Sequence, residues 1–381
     1  TLDGTLFPYT TLFRSSVTLD GAGELNPDPN GVIGKTTAEM QTAQTFLDAG
    51  WDFVGETANG MEDTWKIVDG LTYPLLSWQK YSGGTGEPND PYQIATAADL
   101  IALGETPEDN DKHFTLIADI DLSGHVYDRA VIPRFAGVFD GNDHIISNLT
   151  IEGGDYLLGL FGELDWPAEI SHLGLEAVDV NGTGEAVGGL VGRTFRGGTI
   201  TACSSSGSVS GNGVVGGLVG ENYCGTVRTS YSSGSVSGNW DIGGLIGLNT
   251  GGMEYCYSSA VVSGVDVVGG LVGGNGHGPI RWTPGQILMC YSTGAVSATS
   301  SVGGLVGSAM SGSITMSYSS GEVIGDGEVG GLVGHTGTCA DITGSFWDIQ
   351  TSGQVTDNSW GGAQGKTTAE MQMAGTFIEA G

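Results

Sequence analysis

The chain has 381 residues, of which 69 are glycine, well above the average usage of about 7%. Its 43 acidic and 12 basic residues give a net charge of -31, which opposes binding to nucleic acid and to anionic membrane surfaces. No run of about 18 or more apolar residues occurs, so the sequence predicts no membrane insertion. This composition favours a secreted all-β protein over a cytosolic enzyme.

Two N-terminal segments are set apart from the repeats that follow. Residues 1–16 fit nothing later in the chain and resemble sequencing-adapter read-through, so we expect them to be non-native. Residues 17–82 contain a stretch, 34–50, that returns almost unchanged at 365–381. We interpret 17–82 as the closing cap of a preceding repeat unit.

Both copies of the duplicated stretch predict a short capped helix. Thr36 and Thr367 are each followed three positions later by a glutamate, the pattern in which side chain and backbone cap each other at a helix start. The apolar residues after Thr367 predict one apolar helix face, which includes Met371, Phe377 and Ile378. We expect this face to pack near Phe346 on the last of the repeat units described below. We expect 341–381 to be a truncated C-terminal cap.

Residues 83–158 precede the repeats and contain a partial calcium-loop pattern. Asp119, Asp121, Ser123 and Gly124 occupy loop positions that carry ligands or the tight turn, but the twelfth position is Ala130 instead of Glu. A similar weak match has Asn26, Asp28, Asn30, Gly31 and Thr37. We therefore predict no metal site and no cofactor, with Ca²⁺ as an open alternative.

Residues 83–158, which we interpret as the lead-in to the repeat units, also hold the densest group of ionisable residues. Catalysis on a polysaccharide needs clustered carboxylates, or carboxylates beside a basic residue. The nearest such group consists of Asp140, Asp143, His144, Arg129 and Arg134. Its Asp-Gly-Asn-Asp sequence is also what a tight turn requires, so we assign no catalytic residues.

A pentad, Gly-Gly-Leu-(Val/Ile)-Gly, recurs through the second half of the chain. Its copies begin at spacings of 28, 27, 26, 34 and 27 residues, at Gly188, Gly216, Gly243, Gly269, Gly303 and Gly330. A Tyr-Ser-Ser-Gly block and a Gly-x-Val-Ser block follow the pentad, which gives three short strand segments in each unit. An insertion at 277–286 explains the long spacing. One such unit cannot bury its apolar side alone, so neighbours must stack.

This repetition predicts an all-β fold, a right-handed parallel β-helix with rungs of about 27 residues and three strands, closed by small helical caps. Its rungs cover 159–340. The pentad leucines should form one buried column, made of Leu190, Leu218, Leu245, Leu271, Leu305 and Leu332.

Two further columns follow from the same alignment. The five cysteines are an odd number with no Cys-x-x-Cys pair. Cys203, Cys256 and Cys290 share one repeat position with serines, which favours small buried thiols over a metal site or a disulfide. One residue later, a tyrosine column is either a stacked internal strip or an exposed stripe able to bind sugar, and consists of Tyr231, Tyr257, Tyr291 and Tyr318.

The units resemble the GLUG motif of bacterial surface and secreted proteins over about 159–338, with lead-in segments near Asp90 and Asp140 of the kind such proteins carry. The resemblance implies a β-helical extracellular module, often linked to adhesion, and implies no catalytic residues.

These observations predict a non-catalytic structural or binding module of a cell-surface or secreted protein, in an adhesin or a stalk. The partners expected are carbohydrate or a host or cell-surface protein. End-to-end self-association is a further expectation, because uncovered strand edges at solenoid ends invite pairing. A β-helix carbohydrate-active enzyme, a polysaccharide lyase or a glycoside hydrolase, is the alternative.

Overall fold

A computed structural model describes residues 35–60, 62–276, 284–360 and 362–378. The segment 1–16 and the second calcium-like motif up to Gly31 lie outside the described residues, as does most of the insertion at 277–286. Internal contacts divide the chain into two units, one up to Gly83 and one from Gly84.

The N-terminal unit is a pair of short helices covered by aromatic side chains. Helices α1 (Thr37–Met40) and α2 (Ala43–Leu47) precede a two-stranded antiparallel sheet of Trp65–Lys66 and Leu75–Leu76. Thr36 and Glu39 form the predicted reciprocal cap at the start of α1. The buried core is small, and consists of Met40, Phe46 and Phe53 with Leu47, Trp51, Trp65 and Ile67 packed against it.

The C-terminal unit is a β-solenoid of about 8 turns with parallel strands, which confirms the predicted fold class. Among the described residues its strands form three sheets. Sheet A contains Tyr92–Ile94, His113–Leu116, Ile132–Phe135, Val138–Asp140, Phe161–Asp165, Glu169–Ser171, Val191–Phe195, Thr199–Thr201, Val219–Tyr223, Thr226–Arg228, Ile246–Asn249, Gly252–Glu254, Val272–Asn275, Gly285–Leu288, Val306–Thr315 and Val333–Thr343.

Sheet B contains Ile120–Asp121, Val126–Tyr127, Ile145–Ser147, Thr150–Gly153, Gly174–Gly182, Ser204–Gly211, Tyr231–Ser237, Tyr257–Ser258, Val261–Ser263, Tyr291–Ser292, Val296–Ala298, Tyr318–Ser319, Val323–Gly325, Ser345–Asp348 and Ala363–Lys366. Sheet C contains Leu157–Leu158, Ala186–Gly188, Val214–Gly216, Trp240–Gly243, Asp266–Gly269, Ser300–Gly303 and Val329–Gly330.

Each rung has three faces, but sheet A receives two strands from most rungs. In one rung the chain runs from sheet C through Val219–Tyr223 and Thr226–Arg228 in sheet A to sheet B. Cys224, between the two sheet A strands, has a φ of 57°, a left-handed conformation that bends the backbone there. This rung therefore has four strands where the sequence predicted three, and the next rung has five because its sheet B part is split into Tyr257–Ser258 and Val261–Ser263.

The pentad forms the corner between sheets C and A. All six leucines of the predicted column are fully buried, with 0% exposure, which confirms the register. The glycine before each leucine is required by close approach of the next rung. A Cβ on Gly217 would lie 2.2 Å from the Gly244 carbonyl oxygen. The pentad is thus a corner at which only glycine fits.

Covers lie at both ends of the solenoid. Helix α3 (Ala97–Glu105), absent from our predictions, buries Leu100 and Leu103 and packs on the strand Ile132–Phe135. At the other end, the Leu332 and Val333 amides donate to Asp357 Oδ1 at 2.8 and 2.7 Å. Helix α4 (Ile349–Ser352) precedes Asp357, and helices α5 (Thr368–Met371) and α6 (Ala374–Ile378) follow it. Within the described residues, no helix is long and apolar enough to cross a membrane.

Candidate functional site

The tyrosine column is a continuous stack on the outer side of sheet B. Successive ring centroids from Tyr231 through Tyr257 and Tyr291 to Tyr318 are 4.9, 4.9 and 5.0 Å apart, and the rings are within 5° of parallel. This spacing is the rung repeat, because parallel in-register strands hold equivalent side chains one strand spacing apart. The stack combines the two alternatives from the sequence, since the rings pack on each other and yet are only partly buried.

The serine that follows each of these tyrosines points into the core, and the tyrosine does not. Ser232 is fully buried and its hydroxyl donates to the Gly244 carbonyl oxygen at 2.6 Å. A Cβ on Gly244 would lie 2.2 Å from the hydroxyl oxygen of Ser258, so serine and pentad glycine fit each other across the rung. In the rungs that carry this serine the contact leaves no room for an aromatic ring on the inner side, and the neighbouring tyrosine faces outward. In the last rung the buried Trp347 takes the serine position and packs on Gly331.

A second exposed row runs beside the tyrosines. Tyr255, Met289 and Met316 occupy the turn between sheets A and B in successive rungs, each with a left-handed φ of 48–56°. Their exposed fractions are 56%, 39% and 39%. The tyrosine column and this row together form an aromatic and methionine surface, which we call the Tyr–Met stripe.

The C-terminal end of the Tyr–Met stripe is a small cleft. Phe346 pairs in register with Tyr318, and Phe377 of helix α6 lies 5.6 Å from Phe346 and 6.0 Å from Tyr318, measured between ring centroids. With Met289 and Met316 these rings line a cleft of about 170 Å³. The predicted packing of the cap near Phe346 is met by Phe377, whereas Ile378 is 76% exposed.

The stripe presents different chemistry at its two ends. The in-register neighbour of Tyr231 on the preceding rung is Ser204, so one face of the Tyr231 ring has no aromatic cover. At Tyr257 and Tyr318 burial and the neighbouring ring raise the phenol pKa above its usual value. These two phenols are therefore uncharged at neutral pH. The stripe presents hydroxyls and ring edges along its length and one open ring face at its start.

The cysteine column lies inside the same strands. Cys203, Cys256 and Cys290 are buried, and all five cysteines are free thiols. The Cys256 amide donates to Cys290 Sγ at 3.4 Å, and Ser230 or Ser317 accepts the equivalent bond in other rungs. Burial raises the pKa of Cys203 to about 12, so this thiol is inert.

An asparagine ladder that we had not predicted lies in sheet A. Asn222 Nδ2 donates to Asn249 Oδ1, and Asn249 Nδ2 donates to Asn275 Oδ1, both at 2.8 Å with the side chains fully buried. The second residue after the pentad is asparagine in three successive rungs, so aligning that column would have revealed it. The ladder satisfies polar groups inside the solenoid.

A charged cluster on the outer side of sheet A was also missed. Arg193 contacts Glu163 at 3.0 Å and Glu221 at 3.6 Å, and these residues share one register position in three rungs. Arg134 extends the cluster, since it lies 3.9 Å from Glu163 and also forms an ion pair with Asp165. Burial raises the pKa of Glu221, although the Arg193 charge opposes the rise.

The ionisable group expected in the lead-in does not assemble into one site. His144 pairs with Asp119 at 3.0 Å, and Asp140 lies 3.4 Å from His172. Arg134 belongs to the cluster at Arg193, while Arg129 is exposed and Asp143 lies in a left-handed turn. Adjacent rungs thus separate residues that are close in sequence.

The calcium-like loop uses its carboxylates for local hydrogen bonds. Asp121 accepts from the Ser123 amide and hydroxyl and from Asn148 Nδ2, which lowers its pKa. Asp119 accepts from the Ile145 amide and pairs with His144, again lowering the carboxyl pKa. Among the described residues no group of three or more His, Cys, Asp or Glu side chains could hold a metal ion.

Comparison with known proteins supports the repeat assignment. The GLUG motif matches residues 183–210 and 298–324, which confirms the resemblance seen in the sequence. Halomucin of Haloquadratum walsbyi is 35% identical over 156 residues, 36% of this chain and 2% of halomucin. A candidate Gly-rich membrane protein of Evansella cellulosilytica is 34% identical over 133 residues, 30% of this chain and 14% of that protein. The chain thus spans a small part of both relatives.

A solved structure shares the fold. The crystal structure of a candidate immunoglobulin A1 protease from Bacteroides ovatus has a TM-score of 0.56 and 22% identity, and covers 70% of this chain and 88% of that one. At this identity the likeness concerns the fold alone.

Proposed function

We propose that this GLUG-repeat β-solenoid is a non-catalytic structural and binding module of a bacterial cell-surface or secreted protein, of the adhesin or stalk type. The observation that carries the proposal is the Tyr–Met stripe. Aromatic side chains are normally buried, and a contiguous row of partly exposed aromatic and methionine side chains is typical of an interaction surface. Equivalent groups repeat at 4.9–5.0 Å along it, which suits many weak contacts whose avidity replaces single-site affinity.

The stacking limits the kind of carbohydrate contact the stripe can make. Sugars pack on aromatic faces, but Tyr257 and Tyr291 have both faces covered by neighbouring rings. Carbohydrate would therefore pack on the open face of Tyr231 and accept or donate hydrogen bonds along the phenol hydroxyls. A protein partner would use the ring edges and the methionines instead.

An extracellular location is part of the proposal. The relative from Evansella cellulosilytica is named as a Gly-rich membrane protein, and the acidic, glycine-rich composition agrees with a place outside the cytosol. The large negative charge also keeps modules apart at low salt, whereas screening beyond about 10 Å at 0.1 M permits them to approach each other, although both solenoid ends carry covers. Light scattering across a salt series tests self-association, and a monomer at every ionic strength would count against it.

Binding is tested by immobilising insoluble polysaccharides and cell-surface or matrix proteins and measuring retention of the full chain. The variant Tyr231→Ala with Tyr257→Ala should lose retention of any ligand bound by the stripe. Trp240→Ala is the matched control, because Trp240 is a 57% exposed aromatic on sheet C. Equal retention of both variants and the parent chain would refute a binding role for the stripe.

A second candidate, a polysaccharide-cleaving enzyme, is favoured by the cluster of Glu163, Arg193 and Glu221. Two carboxylates in unlike environments beside a basic group are the minimum such chemistry needs. In this structure Arg193 bridges both carboxylates, which is also how a purely structural ion network looks. Release of reducing ends or unsaturated products from a polysaccharide panel, abolished by Glu221→Gln, would support the enzyme. No turnover by the parent chain would eliminate it.

A further inference from the structure

Aromatic side chains gather in three successive rungs at the bend between the two strands of sheet A. Trp166 is 67% exposed, and its indole lies against the following rung, since a Cβ on Gly197 would be 3.2 Å from Trp166 Cδ1. Phe195 and Tyr223 pair in register, and their rings stack with centroids 5.6 Å apart and planes within 19° of parallel. We call Trp166, Phe195 and Tyr223 the aromatic ridge.

One end of this stack is open. Asn222 and Asn249 pair in register, so the counterpart of Tyr223 in the next rung is Thr250. Thr250 is 3% exposed, and its hydroxyl donates to the Asn222 carbonyl oxygen at 3.2 Å. This small buried side chain leaves the far face of the Tyr223 ring without an aromatic neighbour among the described residues. The ridge therefore offers two accessible ring surfaces, the Trp166 indole and the far face of Tyr223.

A guanidinium group is fixed on the aromatic ridge. Arg196 follows Phe195 with a left-handed φ of 59°, and its Cζ lies 4.8 Å from the Phe195 ring centroid, within the range of a cation–π contact. Three other arginines of the solenoid pair with carboxylates, namely Arg134, Arg193 and Arg228. Arg196 has no such ion pair within the described part of the chain, although the protein has 43 acidic and 12 basic residues. Because Arg196 is also exposed, its N–H donors are available to a ligand.

The carboxylates beside the aromatic ridge are already neutralised. Arg193 pairs with Glu163 at 3.0 Å and with Glu221 at 3.6 Å. Asp165 forms an ion pair with Arg134. A single ligand carboxylate therefore meets an unpaired cation with little opposing charge nearby, and more distant charges are screened beyond about 8 Å at physiological salt. A polyanion would meet far more of the net charge of -31, so a ligand with an isolated carboxylate fits better.

We propose that the aromatic ridge and Arg196 form a binding site for a glycan that carries an isolated carboxylate, an acidic sugar residue joined to neutral ones. The apolar face of a sugar ring would pack on Trp166 or on the open face of Tyr223. Its carboxylate would accept two parallel hydrogen bonds from the Arg196 guanidinium, a geometry to which arginine is suited. The inference goes beyond the proposed function, because the ridge lies on sheet A and the Tyr–Met stripe lies on sheet B.

The size of the aromatic ridge favours a glycan over a protein partner. Its three side chains come from neighbouring rungs about 4.8 Å apart, so the ridge is roughly 10 Å long. A stable protein interface buries about 800 Å² on each partner, much more than three side chains provide. A few linked sugar residues lying along the ridge would contact both ring surfaces and the guanidinium at once.

The probe is a printed panel of oligosaccharide pairs, in which one member ends in a uronic acid and the other ends in the matching neutral hexose. The full chain should bind the acidic member of at least one pair about tenfold or more tightly, because the neutral member cannot accept charge-assisted hydrogen bonds. Arg196→Gln should abolish this preference. Arg129→Gln is the matched control, since Arg129 is an exposed arginine of the lead-in and its loss should leave the preference unchanged.

A second pair of variants tests the ring surface. Trp166→Ala should weaken binding of both members of a pair about fivefold, because an aromatic contact is lost. Trp240→Ala is the control, since Trp240 is a 57% exposed aromatic on sheet C. All four variants change exposed side chains, so they should fold as the parent chain does, and urea denaturation checks this.

Equal binding of both members of every pair by the parent chain would overturn the proposal. A preference for the acidic member that survives Arg196→Gln would overturn it as well, since the carboxylate would then be bound elsewhere. Full displacement of the acidic oligosaccharide by an acidic peptide at the same concentration would show that the ridge binds polypeptide instead. The double variant Tyr231→Ala with Tyr257→Ala is measured in parallel and should keep the preference, so a failure of the ridge and a failure of the Tyr–Met stripe are distinguishable.

Discussion

The inner and outer sides of the same rungs follow different rules. Inside, the pentad leucines repeat without exception and all are fully buried. Outside, the position next to the buried serine is tyrosine in four rungs but Ser204 in the rung before them and Phe346 in the rung after. Packing against both neighbouring rungs dictates the inner residue, whereas the outer residue is free to serve contacts with a partner.

The largest expected effect comes from breaking the inner column. Leu245→Ala should lower the free energy of unfolding by about 2–5 kcal/mol, because it removes buried methyl groups and leaves a cavity between stacked rungs. Urea denaturation measures it. Ile324→Ala is the matched control, since Ile324 is 57% exposed and its truncation should cost no more than about 0.5 kcal/mol. Equal costs would mean that the inner column does not carry the stability of the rungs.

The asparagine ladder tests whether the buried polar positions tolerate substitution as poorly as the buried leucines do. Asn249→Ala leaves the Asn222 amide and the Asn275 oxygen without their partner in a dry interior, which should cost about 1–3 kcal/mol. Asn239→Ala is the control, because the Asn239 side chain donates one exposed hydrogen bond, to Asn212 Oδ1 at 3.4 Å. If the two variants unfold at the same urea concentration, solvent reaches the ladder.

Asp241, which lies between the inner and outer sides of its rung, should make the free energy of unfolding depend on pH. Burial, together with the charges of Asp266 and Glu221, raises the pKa of this carboxyl from 3.8 to about 6. The folded state then binds the proton more tightly than the unfolded state, so this group's contribution to stability is lost as pH rises from about 4 to 6. Asp241→Asn should flatten the pH profile of stability in that window. A parallel profile for the variant would show that Asp241 is not the group responsible.

The sequence predicted the part of the fold that repetition enforces. A 27-residue period with glycine corners allows few structures besides stacked rungs, so the solenoid and the leucine column follow from the sequence. The orientation of the tyrosines does not follow, because hydrophobicity favours burying Tyr231 and exposing Ser232. The close approach at Gly244, which decides the matter, is visible only in three dimensions.

The candidate site was less predictable for the same reason. Glu163, Arg193 and Glu221 are about 30 residues apart in sequence and meet because they share a register position in successive rungs. Helix α3, by contrast, could have been predicted from local sequence. Thr96 and Asp99 have the spacing of a reciprocal helix cap, and the apolar residue Leu100 comes next. Clusters across rungs become predictable once every column of the repeat, not only the glycines and leucines, is aligned.

The smallest expected effect comes from the outer column. Tyr291→Ala removes two stacking contacts, those with Tyr257 and Tyr318, each a parallel pair near 5 Å. Aromatic pairs contribute about 0.5–1.5 kcal/mol beyond area burial, and the partial exposure of these rings places the loss at the lower end. Tyr291→Phe, which keeps the stack and deletes only the hydroxyl, should leave stability unchanged. Ligand retention separates the two kinds of contact. It should fall for both variants if the hydroxyls make the contacts, and for Tyr291→Ala alone if the ring edges do. A loss of stability as large as that of Leu245→Ala would mean that the outer column is structural, and the comparison between the two sides of the rung would fail.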